Sequence, residues 1–254
     1  MVDRSKVWTA ALVVIGDEIL SGRTQDKNVA QVATWLNDQG IRLAEVRVVP
    51  DVIERIADAV NALRSTHDYV FTTGGIGPTH DDITVDAIAT ALDVPVVIHP
   101  DARRILEDYY RDRPGGVTDA RLRMARVPEG AELIPNPTSG APGVKIANVY
   151  IMAGVPYIAA SMLEALTGKL QGGRPIVSVT VGARAPESDV ADLLRETEAA
   201  HPGVAIGSYP FFKEGLYGAN FVIRSDDEEL ARTTGEDLSA RLREAGYEPV
   251  EGGI

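Results

Sequence analysis

The run "VWTAALVVIG", from Val7 to Gly16, carries no charged residue and stops at a glycine. A strand without a polar face must be covered on both sides, so this one belongs inside a sheet rather than at its edge. The chain then alternates. After the polar stretch "DEILSGRTQDKN", Val29, Val32, Ala33 and Leu36 fall at helical spacing and Gly40 ends them. "IRLAEVRVV" alternates as a strand does, and Pro50-Asp51 opens a helix with Ile53, Ile56, Val60 and Leu63 on one face. "DYVFTT" reads as the next strand and "ITVDAIATAL" as the next helix. Strands alternating with helices of about 10–15 residues imply right-handed crossovers and a sheet clad by helices on both faces. The expected fold class for residues 1–170 is therefore α/β, a doubly wound, mostly parallel sheet.

The middle of the chain, "PDARRILEDYYRDRPGGVTDARLRMARVPEGAEL", reads as helical around an "RPGG" break, and "IPNPTSGAPGVK" after it is rich in turn residues. "ANVYIMAGVP" is a strand entering the helix "YIAASMLEALTGKL". The segment "QGGRP", at 171–175, has the composition of a linker. Beyond it the pattern is β, α, β, β, α, which predicts a small α+β domain over residues 176–254. No internal repeat, heptad pattern or low-complexity tract points to a solenoid or a fibre.

Composition narrows the function. A net charge of -12, densest after residue 170, opposes nucleic acid and anionic membranes as partners. No apolar run reaches the roughly 18 residues of a membrane span, and "MVDRSKVWTA" lacks the apolar core of a signal peptide. A soluble, cytoplasmic protein is expected. With no cysteine there is no disulfide, thiolate nucleophile or cysteine-bound zinc, so any metal must sit on oxygen or histidine.

In an open α/β sheet, ligands bind beyond the carboxyl ends of the strands, where the strand order reverses. The loops after the first and third strands have unusual compositions. The first holds the adjacent acids Asp17 and Glu18; the other, "TTGGIGPTHDD", supplies Gly74, Gly75, Gly77, Thr79, Asp81 and Asp82. Glycine lets backbone come close to a ligand, and neighbouring carboxylates need a cation or proton between them. A phosphate and a divalent metal such as magnesium satisfy both demands, and a helix beginning near Asp81 would aim free N–H groups at the anion. The structural alternative is that Asp82 closes a capping box with Thr79 while Asp81 favours the helix dipole. Gly77-Pro78 reads as a turn. The glycines fit neither the phosphate-loop signature nor the dinucleotide fingerprint, where His80 stands at the last glycine. His80 reads as a surface or capping residue, and His67, His99 and His201 as structural. Ser139 has no histidine near it in sequence, which leaves it hydrogen bonding rather than nucleophilic work.

"GDEILSGRTQDKN", "TTGGIGPTHDDIT", "NPTSGAPG" and "GVP", in this order and spacing, resemble the CinA family. That family's first domain is of the MoaB/MogA molybdopterin-binding type and is similar to the amino-terminal part of eukaryotic FAD synthases. The resemblance covers residues 7 to about 170, and "IGSYPFF" with the βαββα tail resembles the KH-like domain that follows in CinA proteins. It implies a pocket at the strand ends and a homo-oligomer, dimeric or trimeric. It also implies glycine-rich phosphate contacts at Gly74, Gly75, Gly77 and Thr79, acidic catalytic or metal positions at Asp17, Asp81 and Asp82, and an opposite lip of Ser139, Gly140, Ala141, Pro142 and Gly143. Gly16, Glu18, Thr73, Pro78 and Gly154, which flank these motifs, complete the expected ligand-binding set.

The activity this implies is hydrolysis of a phosphoanhydride, as an ADP-ribose or FAD pyrophosphatase with a divalent metal. The alternatives are a protein of molybdenum cofactor biosynthesis that binds molybdopterin or transfers adenylyl groups, and a non-catalytic oligomeric regulator. Two departures from the family pattern stand out: Met152-Ala153 precede Gly154-Val155-Pro156 where leucine and proline are common, and Ile158 occupies an acidic position. The family's carboxyl-terminal deamidase domain has no counterpart in the matching segments, and no deamidase activity is expected. A KH domain clamps nucleic acid with a G-x-x-G loop, whereas here the strand runs into "VGARAPESD". Packing or oligomer formation is the expected duty of that domain.

Overall fold

The computed structural model describes residues 6–213 and 215–254. The chain divides into two compact units, Met1–Gly173 and Arg174–Ile254.

The first unit runs β1 (Trp8–Ile15), α1 (Asp17–Leu20), α2 (Asn28–Asp38), β2 (Ile41–Val49), α3 (Ile53–Arg64), β3 (Tyr69–Thr73), α4 (Thr84–Leu92) and β4 (Val96–Ile98). It continues with α5 (Pro100–Tyr110), α6 (Asp119–Leu122), β5 (Arg126–Pro128), β6 (Glu132–Ile134), β7 (Gly143–Ile146), β8 (Val149–Met152) and α7 (Pro156–Leu166). Six strands form one sheet in the order β2-β1-β3-β8-β7-β6. The pairs β1/β2, β1/β3 and β3/β8 are parallel, while β7 runs antiparallel to both β8 and β6. The sheet is thus doubly wound and mostly parallel, with an antiparallel edge.

The unbroken apolar run of β1 has a simple cause. Successive side chains leave a strand on opposite faces, and here both faces are covered. Ala11, Val13 and Ile15 pack with Ile56, Val60 and Leu63 of α3 and Ile88 of α4. Ala10, Leu12 and Val14 pack with Val32 and Leu36 of α2 and with Met162 and Leu163 of α7. On that second face Phe71 of β3 stacks on Tyr150 of β8, ring centroids 5.0 Å apart, and meets Trp35 of α2 edge-on at 6.1 Å.

The segment that reads as helix and turns holds more than that. Helices α5 and α6 flank the "RPGG" break as expected, but β4 and β5 pair beside them as a separate two-stranded sheet. The turn-rich stretch ends in β7, and β6 precedes it. These strands have three or four residues each, too few for a period of two to stand out.

The second unit runs β9 (Val177–Ala183), α8 (Glu187–Ala200), β10 (Ala205–Lys213), β11 (Leu216–Ser225), α9 (Glu228–Glu244) and β12 (Val250–Glu251). Its four strands form an antiparallel sheet in the order β10-β11-β9-β12. Val181 and Ala183 of β9 and Phe221 and Ile223 of β11 pack on Val190 of α8 and on Leu238 and Leu242 of α9. Asp227 caps α9 by accepting from the N–H groups of Glu229 and Leu230. Among the described residues, no helix of either unit is long and apolar enough to cross a membrane.

Phe71 carries much of the second core face. Phe71→Ala is expected to destabilise the protein by about 3–5 kcal/mol, the usual cost of truncating a buried aromatic side chain. Urea unfolding followed by circular dichroism measures this.

Candidate functional site

The site begins with a consequence of strand direction. β1, β2, β3 and β8 are mutually parallel through their ladders, so their carboxyl ends share one edge of the sheet. β7 runs the other way and pairs Val144 with Ile151, which brings the turn before it to the same edge. Five stretches therefore converge: Gly16 to Glu18 after β1, Pro50-Asp51 after β2, Gly74 to Asp82 after β3, Ala153-Gly154 after β8, and Ser139 to Pro142 before β7.

The glycines at this edge are needed by the chain itself. Gly74 has φ +107°, and a methyl on it would lie 2.2 Å from the Ile15 carbonyl oxygen. Gly75 has φ +66°, and there a methyl would lie 2.2 Å from Thr84 Oγ1. A methyl on Gly154 would come within 3.1 Å of the Gly74 Cα, so the loops after β3 and β8 touch glycine to glycine. Thr84, fully buried, holds the loop from the other side: its hydroxyl donates to the Gly74 carbonyl (2.8 Å) and its N–H to the Gly75 carbonyl (3.0 Å). This fixed path leaves the N–H groups of Gly75, Ile76 and Gly77 without a hydrogen-bond partner among the described residues. Successive free amides in a turn make an anion-binding concavity.

The helix after this loop starts later than expected. α4 begins at Thr84 rather than near Asp81, because the residues before it close a turn of their own. Asp82 Oδ2 accepts from both the N–H (2.8 Å) and the hydroxyl (2.5 Å) of Thr79. Only half of the expected box forms, and it lies ahead of the helix: Asp82 accepts the Thr79 N–H, but the Asp82 N–H goes to the Thr79 carbonyl (3.4 Å) and not to its hydroxyl. The proximity of the Thr79 hydroxyl also holds the exposed Asp81 carboxyl below the usual carboxylate range. Pro78 and His80 are exposed, and His80 Nδ1 lies 3.9 Å from Asp81.

The acids meet around a residue that the sequence reading assigned only to the start of a helix. Asp51 Oδ2 accepts the N–H of Asp17 (2.9 Å). Partial burial pushes the Asp51 carboxyl above its ordinary value of 3.8, and the charges of Asp17, Glu18 and Asp81 push it the same way, against the Asp17 N–H. Acids from the loops after β1, β2 and β3 thus act on one another. The available signal was position: Asp51 follows a strand end, as Asp17 does.

Among the described residues, no three acidic or histidine side chains are drawn together as a metal-holding group. Asp17, Asp81 and Asp82 are therefore not a ready-made three-carboxylate centre, and Asp82 is occupied by Thr79. Magnesium takes one or two carboxylates and fills its shell with water and substrate phosphate. The charge-crowded Asp17, Glu18, Asp51 and Asp81 fit an ion shared with a phosphate ligand, but not an all-protein cage.

The opposite lip is organised by Asn136, which is buried. Its Nδ2 donates to Ser139 Oγ (2.6 Å) and to the Ala141 carbonyl (2.7 Å), and its Oδ1 accepts the N–H groups of Thr138 and Ser139. Ser139 is spent on this turn. Gly140 (φ +77°) passes the Tyr109 ring so closely that a methyl would lie 2.4 Å from it, and Gly143 is buried. Pro142 reaches a cleft shared with Gly75, Ile76, Gly77 and Asp82 and closed by Arg123 and Arg126. Thr73 is buried and its hydroxyl has no partner among the described residues. Asn28, also buried, donates to the Gly154 carbonyl (2.8 Å) and leaves its Oδ1 unpaired. Asn28, Asp51, Thr84, Arg123 and Asn136 all lay outside the expected set. The remaining histidines serve structure: His67 Nδ1 contacts the Leu63 carbonyl, His99 accepts the Asp101 N–H, and His201 Nδ1 contacts the Thr197 carbonyl.

An open α/β sheet with glycine loops and acids gathered at its carboxyl edge defines a class, the ligand-binding doubly wound domain. The particular family follows from comparison. Residues 11–172 match the MoCF_biosynth model, described as a probable molybdopterin binding domain, and residues 175–251 match the model described as FAD synthase, middle domain. A protein of Aeropyrum pernix is 32% identical across all of this chain and 98% of its own length. A CinA-like protein of Desulfosudis oleivorans is 34% identical over 81% of this chain, which spans 52% of that longer protein. The crystal structure of a CinA protein of unknown function from Thermoplasma acidophilum superposes with a TM-score of 0.60 at 31% identity, over 64% of this chain and 98% of that one. The chain belongs to the CinA family, within the family of probable molybdopterin binding domains.

The raised Asp51 carboxyl has a measurable sign. A group that binds its proton more tightly when folded costs stability once ionised, so the cost is full above the folded pKa and gone below the unfolded value. Asp51→Asn, which keeps an oxygen for the Asp17 N–H, is expected to raise the unfolding midpoint at neutral pH without divalent ions. The gain should shrink as the pH falls toward 3.8. Thermal melts across pH in a chelating buffer read it; a gain independent of pH would refute the assignment.

Proposed function

We propose that the first unit binds a phosphate-bearing pterin or nucleotide at the carboxyl edge of its sheet and hydrolyses a phosphoanhydride, in the manner of an ADP-ribose or FAD pyrophosphatase. The observation that carries this reading is the meeting of free loop amides at Gly75 to Gly77 with mutually repelling acids after β1, β2 and β3. The amides receive a phosphate, and Thr84 and Asn136 hold the two lips in place. Asp17, Glu18, Asp51 and Asp81 are the residues that would hold a divalent ion, which when bound supplies charge neutralisation and an activated water. Asp51 also anchors the backbone of Asp17 and so fixes where that carboxylate stands. Thr79 holds Asp82 in place through two hydrogen bonds, and its hydroxyl keeps the Asp81 carboxyl below the usual carboxylate range.

The test is AMP release from ADP-ribose and FAD with magnesium, manganese, cobalt or potassium. Turnover is expected only with a divalent ion and should fall by roughly 100-fold, about 2.7 kcal/mol of barrier, in Asp81→Ala. No turnover with any ion would refute hydrolysis.

A second reading is favoured by the family model that spans residues 11–172: molybdopterin binding, with or without adenylyl transfer. Retention of a fluorescent pterin through purification, with no AMP release, is its signature. A pocket that stays empty in calorimetry against both ligand classes would leave the fold to a non-catalytic regulator. A homo-oligomer, dimeric or trimeric, belongs to all three readings.

A further inference from the structure

The cleft beside the glycine loop is lined by backbone amides and by two arginines, Arg123 and Arg126. Gly75, Ile76 and Gly77, whose amides are free among the described residues, line it together with Arg123 of the short 3-10 turn that leads into β5. Arg126 also lines the cleft, but its guanidinium grips both carboxylate oxygens of Asp86 (3.1 and 2.5 Å). Most other arginines of this region are engaged as well. Arg103 pairs with Glu107, Arg104 with Asp101, and Arg111 with Asp108; Arg113 lies over the Tyr109 ring, and Arg121 bonds backbone carbonyls and stacks on Tyr110. Arg123 is exposed and its side chain has neither an ion pair nor a hydrogen bond among the described residues. An unengaged guanidinium lining the same cleft as unengaged amides supplies donors for an anion from two stretches of chain, since guanidinium matches phosphate with parallel N–H donors. The one opposing charge is Asp82, whose Oδ2 is already bonded twice by Thr79.

We propose that Arg123 is the phosphate-recognition residue of this cleft, closing over a phosphate or pyrophosphate group seated on the amides of Gly75, Ile76 and Gly77. The inference rests on the functional reading above and deepens it. It orients the ligand: the anionic group is held by Arg123 and the glycine amides, and shares any cation with the acids after β1 and β2. Because the Arg123 side chain makes no ion pair or hydrogen bond among the described residues, its replacement is expected to leave the fold intact, and melting curves verify that.

The test is calorimetry with inorganic pyrophosphate, ADP-ribose and adenosine on the parent and on Arg123→Gln, Arg123→Lys and Arg104→Gln. Arg123→Gln should weaken pyrophosphate and ADP-ribose by about tenfold or more, as expected for a lost charge-assisted pair, and leave adenosine unchanged. Arg123→Lys should recover part of the loss. Arg104→Gln, which removes a charge elsewhere on the same segment, should bind as the parent does. Parent binding that is unaltered in Arg123→Gln, or equally weakened in Arg104→Gln, overturns the assignment to Arg123 alone. A parent that binds neither pyrophosphate nor ADP-ribose overturns the functional reading together with it.

Discussion

The carboxyl edge of the sheet depends on how closely the backbone after β3 passes the end of β1. With Gly74 seated where a methyl would lie 2.2 Å from the Ile15 carbonyl, the loop cannot rise away from the sheet. Thr84 then ties the Gly74 and Gly75 carbonyls down from the helix side. Their oxygens are satisfied and the amides that follow are not. Buried or confined backbone groups seek partners at about 1 kcal/mol or more each, so a loop held in this way is biased toward an anionic guest. The glycines act through packing first, and the anion site is what that packing leaves over.

This ordering explains what the sequence revealed and what it hid. The strand-helix alternation was legible because β1, α2, β2, α3 and β3 each bury enough side chains to display their period; Val13 and Leu12, pointing to opposite cores, are the plainest case. The glycine-aspartate loop was legible by composition. Asp51 was not, because its significance comes from Asp17 being 34 positions away in sequence yet hydrogen-bonded to it. Arg123 was hidden for the same reason among a crowd of arginines, most of which form local pairs. Pairings set by the sheet order leave no local trace, whereas a capping pair such as Thr79 and Asp82 does, and even there the sequence suggested a helix start three residues too early.

That displaced helix start changes where the positive potential at the site comes from. Had α4 begun at Asp81, its dipole and first-turn amides would have faced the ligand. Instead the Thr84 N–H is used on the Gly75 carbonyl, and the turn of Thr79 to Asp82 stands between the glycines and the helix. The free donors are those of the loop, Gly75 to Gly77, and Arg123, on a separate stretch of chain, lines the same cleft with no ion pair among the described residues. An anion held by loop amides and one guanidinium is held by groups that approach from two sides. Such a site responds to the geometry of the phosphate more than a helix terminus would, because donors on two separate stretches of chain must both reach it.

The crowding of acids belongs to the same logic. The charges of Asp17, Glu18 and Asp81 raise the proton affinity of the partly buried Asp51, and a fold with no use for that repulsion would gain by replacing Asp51. The Asp17 N–H relieves part of it at Asp51, which shows the backbone arranged around the charges rather than indifferent to them. A phosphate on the glycine loop would add to the negative potential. On the proposed function, a cation arriving with the anion would offset that charge, and the two would then bind more tightly together than either does alone.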